Sequence, residues 1–127
     1  MFGYEIFDPF SDPRLWVQSV SIPIELYESV KGKYFIGYVD GLSLGDGKSA
    51  WARLYNPPCS GVNLHVNVWT VTDVSAAPFR AQFWFNAAPP GTISESSDVT
   101  PSNTALRPAP VPEVKLQWAS DVSETPT

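Results

Sequence analysis

The stretch "GVNLHVNVWTVTDVS", Gly61 to Ser75, decides the fold class. Val62, Leu64, Val66 and Val68 alternate with Asn63, His65, Asn67 and Trp69. A period of two marks a strand with one apolar face, because successive side chains leave a pleated backbone on opposite sides. The back face is the unusual part. It carries amides, an imidazole and an indole rather than the usual charged groups.

Downstream, "RAQFWFN", 80–86, reads as the next strand, and "VSAAPF", 74–79, as a hairpin connection. Placing Trp69 opposite Trp84 sets Asn67 against Asn86, Val71 against Gln82 and Asp73 against Arg80. The other face then pairs Val68 with Phe85, Thr70 with Phe83 and Thr72 with Ala81. These are compatible cross-strand partners. A slip by one residue sets an apolar face against a polar one. Upstream, "SAWARLYN", 49–56, repeats the theme. Ala50, Ala52 and Leu54 form its plain face, and Trp51, Arg53 and Tyr55 the other. If the three strands share a sheet, one face holds Trp51, Arg53, Tyr55, His65, Asn67, Trp69, Arg80, Gln82, Trp84 and Asn86.

Two readings of that face follow. In the first, another part of the chain or a neighbouring subunit covers it, since Trp, Tyr and Arg are enriched at interfaces. In the second, it is an open groove that stacks sugar rings on Trp and bonds their hydroxyls with Asn, Gln and Arg. Coverage is favoured, because contiguous apolar patches are uncommon on monomers.

The rest of the chain points the same way. Thirteen prolines interrupt it, and helical periodicity is poor. Residues 1–14, with Asp8-Pro9 and Asp12-Pro13, read as an extended arm. A strand is expected near 15–26, with one helical turn in "LYESVKGK" before Gly32. "KYFIGYV", 33–39, is apolar on both faces and reads as a central strand. Asn56-Pro57-Pro58 stops the 49–56 strand. Residues 87–113 hold six of the prolines and seven Ser or Thr, and read as a long loop or arm. "VKLQW", 114–118, is a last strand, and 119–127 a polar tail. The expected architecture is one all-β domain over 1–127: an antiparallel, jelly-roll-like β-sandwich of about seven short strands with a long Pro/Ser-rich connection.

Composition excludes several functions. Net charge is −5, and the eight Lys and Arg are scattered, so no stripe tracks a phosphate backbone and nucleic-acid binding is disfavoured. Charged residues make up 17%, below the usual share of about 25%, which favours association. No apolar run is long enough to span a membrane. "MFGYEIFDPF" lacks the pattern of a signal peptide. The expected location is cytoplasmic, or released or on a spore surface by a non-classical route.

Catalytic and metal chemistry find little support. Cys59, His65 and Asp73 suggest a nucleophile, base and orienter. However, about 13 Å of extended chain separates Cys59 from His65. One His and one Cys do not make a zinc site, and no calcium-loop spacing occurs. No enzyme, metal or cofactor is expected.

With "ARLYNPPCSGVNLHVNVWTVTD", and Phe83-Trp84-Phe85-Asn86 followed by Pro89-Pro90-Gly91, the chain resembles a family of small uncharacterised all-β proteins. That family is a domain of unknown function, found mainly in spore-forming Gram-positive bacteria. The resemblance covers roughly residues 24–118 and implies a β-sandwich and a bacterial source. It supplies no activity. It also implies relatives that continue past the equivalent of Thr127 with further strands, which would leave a sheet edge open here for strand addition. The leading functional expectation is a non-enzymatic, self-associating structural or surface-assembly protein. The alternative is a carbohydrate-binding module using Trp51, Trp69 and Trp84. A Cys-dependent hydrolase is a distant third.

Overall fold

The structure, a computed structural model, describes residues 19–75 and 77–127. The arm expected at 1–14 and the start of the 15–26 strand lie outside the described residues. The described elements are α1 (Ile24–Val30), β1 (Phe35–Gly37), β2 (Ser49–Tyr55), β3 (Ser94–Glu95), β4 (Val99–Pro101) and β5 (Lys115–Val122). They form a two-stranded sheet, β1-β4, and a three-stranded sheet ordered β2-β5-β3. All pairings are antiparallel. The fold is therefore β-rich, with one short helix.

β5 is the strand on which the rest is built. It pairs with β2 along one side, from Tyr55↔Lys115 to Ser49↔Val122, and with β3 along the other. Its residues Leu116, Ala119 and Val122 are the buried apolar residues among those described. Leu116 sits opposite Leu54. The β1-β4 sheet approaches Leu116 closely at Gly37. A Cβ there would lie 3.1 Å from Leu116 Cδ2 and 3.0 Å from Val99 Cγ2. Glycine is what lets the two sheets meet at that point.

α1 is short and exposes Ile24, Leu26, Tyr27 and Val30. Its end is built by a Schellman motif. Gly32 has φ +73, its N–H donates to the Ser29 carbonyl, and the Lys33 N–H donates to the Glu28 carbonyl. The Ser29 and Ser102 hydroxyls share a hydrogen bond of 2.6 Å, tying the helix to the end of β4. So residues expected to be a strand as far as Leu26 are helical from Ile24. Pro23 has no N–H to pair in a ladder, and its carbonyl accepts from Tyr27 N–H at 3.1 Å instead.

Four further expectations change. Residues 33–39 form a three-residue edge strand rather than a central one, and Ile36 and Tyr38 are exposed. Residues 87–113 contain β3 and β4, so this stretch is structured on both sheets. The polar tail is tied down: β5 runs on to Val122, and Ala88 and Thr127 exchange two backbone hydrogen bonds of 2.9 and 3.1 Å. The fourth change concerns the opening stretch. Residues 61–73 and 80–86 form no ladder with each other or with any described strand. Five strands are therefore present among the described residues, not seven.

Because Leu116 lies where the two sheets meet, Leu116→Ala is expected to lower stability by about 2–5 kcal/mol. Urea unfolding at one fixed protein concentration measures it. A change under 1 kcal/mol would mean that the two sheets do not share a core at this residue.

Candidate functional site

Of the ten residues expected on one face, three sit together on β2. Trp51, Arg53 and Tyr55 alternate with Ala50, Ala52 and Leu54, as a strand requires. Arg53 Nε donates to Gln117 Oε1 at 2.9 Å. Its guanidinium lies 4.5 Å from the centre of the Tyr55 ring and 5.9 Å from that of Trp51. This is a cation held between two aromatic rings. Trp51 Nε1 donates to the Pro90 carbonyl at 2.8 Å, so the Pro89-Pro90-Gly91 turn anchors one end of the row.

The neighbours of this row come from β5 and β3, not from 61–86. Gln117 lies opposite Arg53 and also opposite Glu95, which sets Arg53, Gln117 and Glu95 in one line across three strands. Lys115, opposite Tyr55, donates to Glu95 Oε1 at 2.8 Å. That hydrogen bond, and then the charge of Glu95, raises the Lys115 pKa above its ordinary value. Lys115, Gln117 and Glu95 were missed in the sequence. The parity of "VKLQW" marks Lys115 and Gln117 as sharing a face, but nothing local names β2 as their partner.

The other seven expected residues, His65, Asn67, Trp69, Arg80, Gln82, Trp84 and Asn86, are all exposed and are not assembled with the β2 row into one sheet. Among the described residues, the segment is fastened at a few points. Asn56 Nδ2 donates to the Val62 carbonyl at 2.9 Å at its base, and Asn67 Nδ2 donates to Tyr34 Oη at 3.1 Å further out. Its far end is a small Asx turn. The Ser75 N–H donates to Asp73 Oδ1 and the Ser75 hydroxyl to Asp73 Oδ2, each at 2.8 Å. These bonds, the backbone one first, hold the Asp73 pKa below its ordinary value.

The apolar residues of the segment are exposed with the rest. Val68 is 73% exposed, Phe83 66% and Phe85 88%. Among the described residues, no backbone group from Gly61 to Ala87 pairs with another backbone group. Strand-patterned sequence without a ladder partner among the described residues is the dominant feature of this surface.

Cys59, His65 and Asp73 share no hydrogen bond, and both Asp73 carboxylate oxygens are engaged by Ser75. Cys59 occupies the turn Pro57–Ser60, where Ser60 N–H donates to the Pro57 carbonyl, and has φ 62. Pro at the second position and a positive φ at the third is the pattern of a type II turn, which favours Gly or Asn there. Among the described residues, no three His, Cys, Asp or Glu side chains cluster to hold a metal. None of the described helices is long and apolar enough to cross a membrane.

Two measurements test the β2 row. Trp51→Phe removes the donor to Pro90 and is expected to cost about 1 kcal/mol, read by denaturant unfolding. Glu95→Gln is expected to move the Lys115 pKa back down toward the ordinary lysine value, read by NMR titration. The sign follows from the raised pKa. The pair's contribution is fully present below the ordinary lysine pKa and fades as pH rises through the raised one. An unchanged titration would mean that the two groups do not pair in solution.

No curated protein matches this chain, and no solved structure matches it. A family model matches residues 11–127, nearly the whole sequence, including the β2 row, the open segment and β5. The chain belongs to the family described as "Family of unknown function (DUF6143)".

Proposed function

We propose that this protein is a non-enzymatic, self-associating structural protein, a subunit of a homo-oligomer or surface assembly. The observation that carries this is the open segment 61–86, with its apolar side chains exposed and its backbone unpaired among the described residues. Backbone N–H and C=O groups need partners once apolar neighbours exclude water. The chain's total surface supports the reading. It exposes 10848 Å². A compact 14.0 kDa monomer is expected to expose about 6,700 Å². Even if residues 1–18 are given the full surface of an extended chain, an excess of roughly 1,700 Å² remains. Obligate homodimer interfaces bury about 2,000–5,000 Å² in total, which matches that excess counted on two chains. In this reading the sandwich, and a total of about seven strands, are completed when copies assemble.

A carbohydrate-binding role is the second reading, favoured by the exposure of Trp69 (42%) and Trp84 (54%). It is weakened by Trp51, whose indole N–H is already bonded to Pro90.

Size-exclusion chromatography with light scattering separates the two. Self-association predicts a mass of at least two chains at micromolar concentration. A monomer at high concentration, with no particles or filaments by electron microscopy, would remove it. A glycan array read with tryptophan fluorescence tests the second reading, and silence across the array would eliminate it.

A further inference from the structure

We infer that the open segment is a strand-exchange element: residues 67–73 of one copy pair antiparallel with residues 80–86 of a second copy, and the reverse. The inference rests on the self-association proposed above and names its surface, partner and register.

The two halves of the segment are complementary in sequence, yet they are not paired with each other. With Trp69 opposite Trp84, Asp73 meets Arg80, Asn67 meets Asn86 and Val68 meets Phe85. Every match that holds within one chain also holds between two identical chains. Exchange of an identical element between protomers uses just this equivalence. The connection between the halves favours the open form. Asp73 and Ser75 close a local Asx turn at the end of the first half. Pro78 then fixes its own φ and biases Ala77 toward an extended conformation, which hinders a tight reversal.

Charge points to a second copy rather than to a different protein. From Gly61 to Asn86 the formally charged residues are Asp73 and Arg80, of opposite sign. At this segment two copies therefore meet without local like-charge repulsion, and Asp73 and Arg80 partner each other at one end of each paired region. The remainder has the charge-depleted, Trp- and Phe-containing composition of an interface core. The excess surface fits as well, since it is of the size two chains would bury in an obligate pair.

The register gives a direct test in a Cys59→Ser background, which removes the native thiol. Chains carrying Val71→Cys are co-expressed with differently tagged chains carrying Gln82→Cys. A second set uses Thr72→Cys with Ala81→Cys. Adjacent antiparallel pairs alternate between wide and narrow spacing, so one set falls in the narrow geometry whichever way the ladder runs. After mild oxidation, intact mass is read on denatured protein. Strand exchange predicts a mixed disulfide in at least one set, with little linkage between like chains. An oligomer without mixed disulfide in either set would overturn the exchange while leaving self-association standing. So would an intrachain disulfide in a Val71→Cys/Gln82→Cys double variant that stays assembled. Protection of the segment by residues 1–18 of the same chain, read as cross-links between the two, would overturn it too. A monomer by light scattering would remove both proposals.

Discussion

The pairing of β2 with β5 is the interaction on which the rest of the structure depends. It is the longest ladder among the described residues, and it joins parts of the chain that are far apart in sequence. β5 carries Leu116, Ala119 and Val122, so losing that strand would remove the buried apolar set together with the attachment of β3. The same pairing sets Gln117 against Arg53, which places the guanidinium between Trp51 and Tyr55. Core and candidate site thus share one ladder, and the buried Ala119, opposite Trp51, lies on the same face as Arg53 and Gln117. Leu54 and Leu116 meet on one side, and Arg53 and Gln117 on the other.

That core is small. Among the described residues three apolar side chains are buried, which is few, since a chain of this length could bury about two-thirds of its unfolded surface. Half of the exposed large apolar residues lie in residues 61–86, where strand-patterned side chains are open, and others lie on α1 and around β1. The constraint is one of accounting. A backbone with alternating apolar side chains gains little from remaining in water, and an open strand is a template for another strand. In the proposed assembly a second copy provides both the apolar cover and the hydrogen bonds. On this account the excess surface is the interface of a larger object.

The sequence was legible where the information is local. "SAWARLYN" carries its own alternation, and β2 formed at Ser49–Tyr55 with the expected faces. "VKLQW" was readable as a strand for the same reason, although β5 continues to Val122 because that residue packs inward. What could not be read was partnership. Nothing in "SAWARLYN" says that its neighbour is 115–122 rather than 61–73, since either strand offers a compatible face. Helix α1 was partly legible: one helical turn was expected in "LYESVKGK" before Gly32, but its start at Ile24 was masked by the shared parity of Ile22, Ile24 and Leu26, which suggests a strand. β3 and β4 were hidden in a Pro/Ser-rich stretch because strands of two or three residues leave no periodicity to detect. The face predicted from Trp51 to Asn86 shows both outcomes. Its β2 members are together, and its other seven are on the open segment.

The most direct test of the central claim is amide hydrogen exchange across residues 62–86 as a function of protein concentration. If a second copy pairs with this segment, its amides exchange slowly at high concentration, at rates like those of β2 and β5. They then become fast on dilution below the dissociation point, while β5 stays protected. Fast exchange throughout 62–86 in a sample shown to be assembled would contradict the account, because it would place the interface elsewhere.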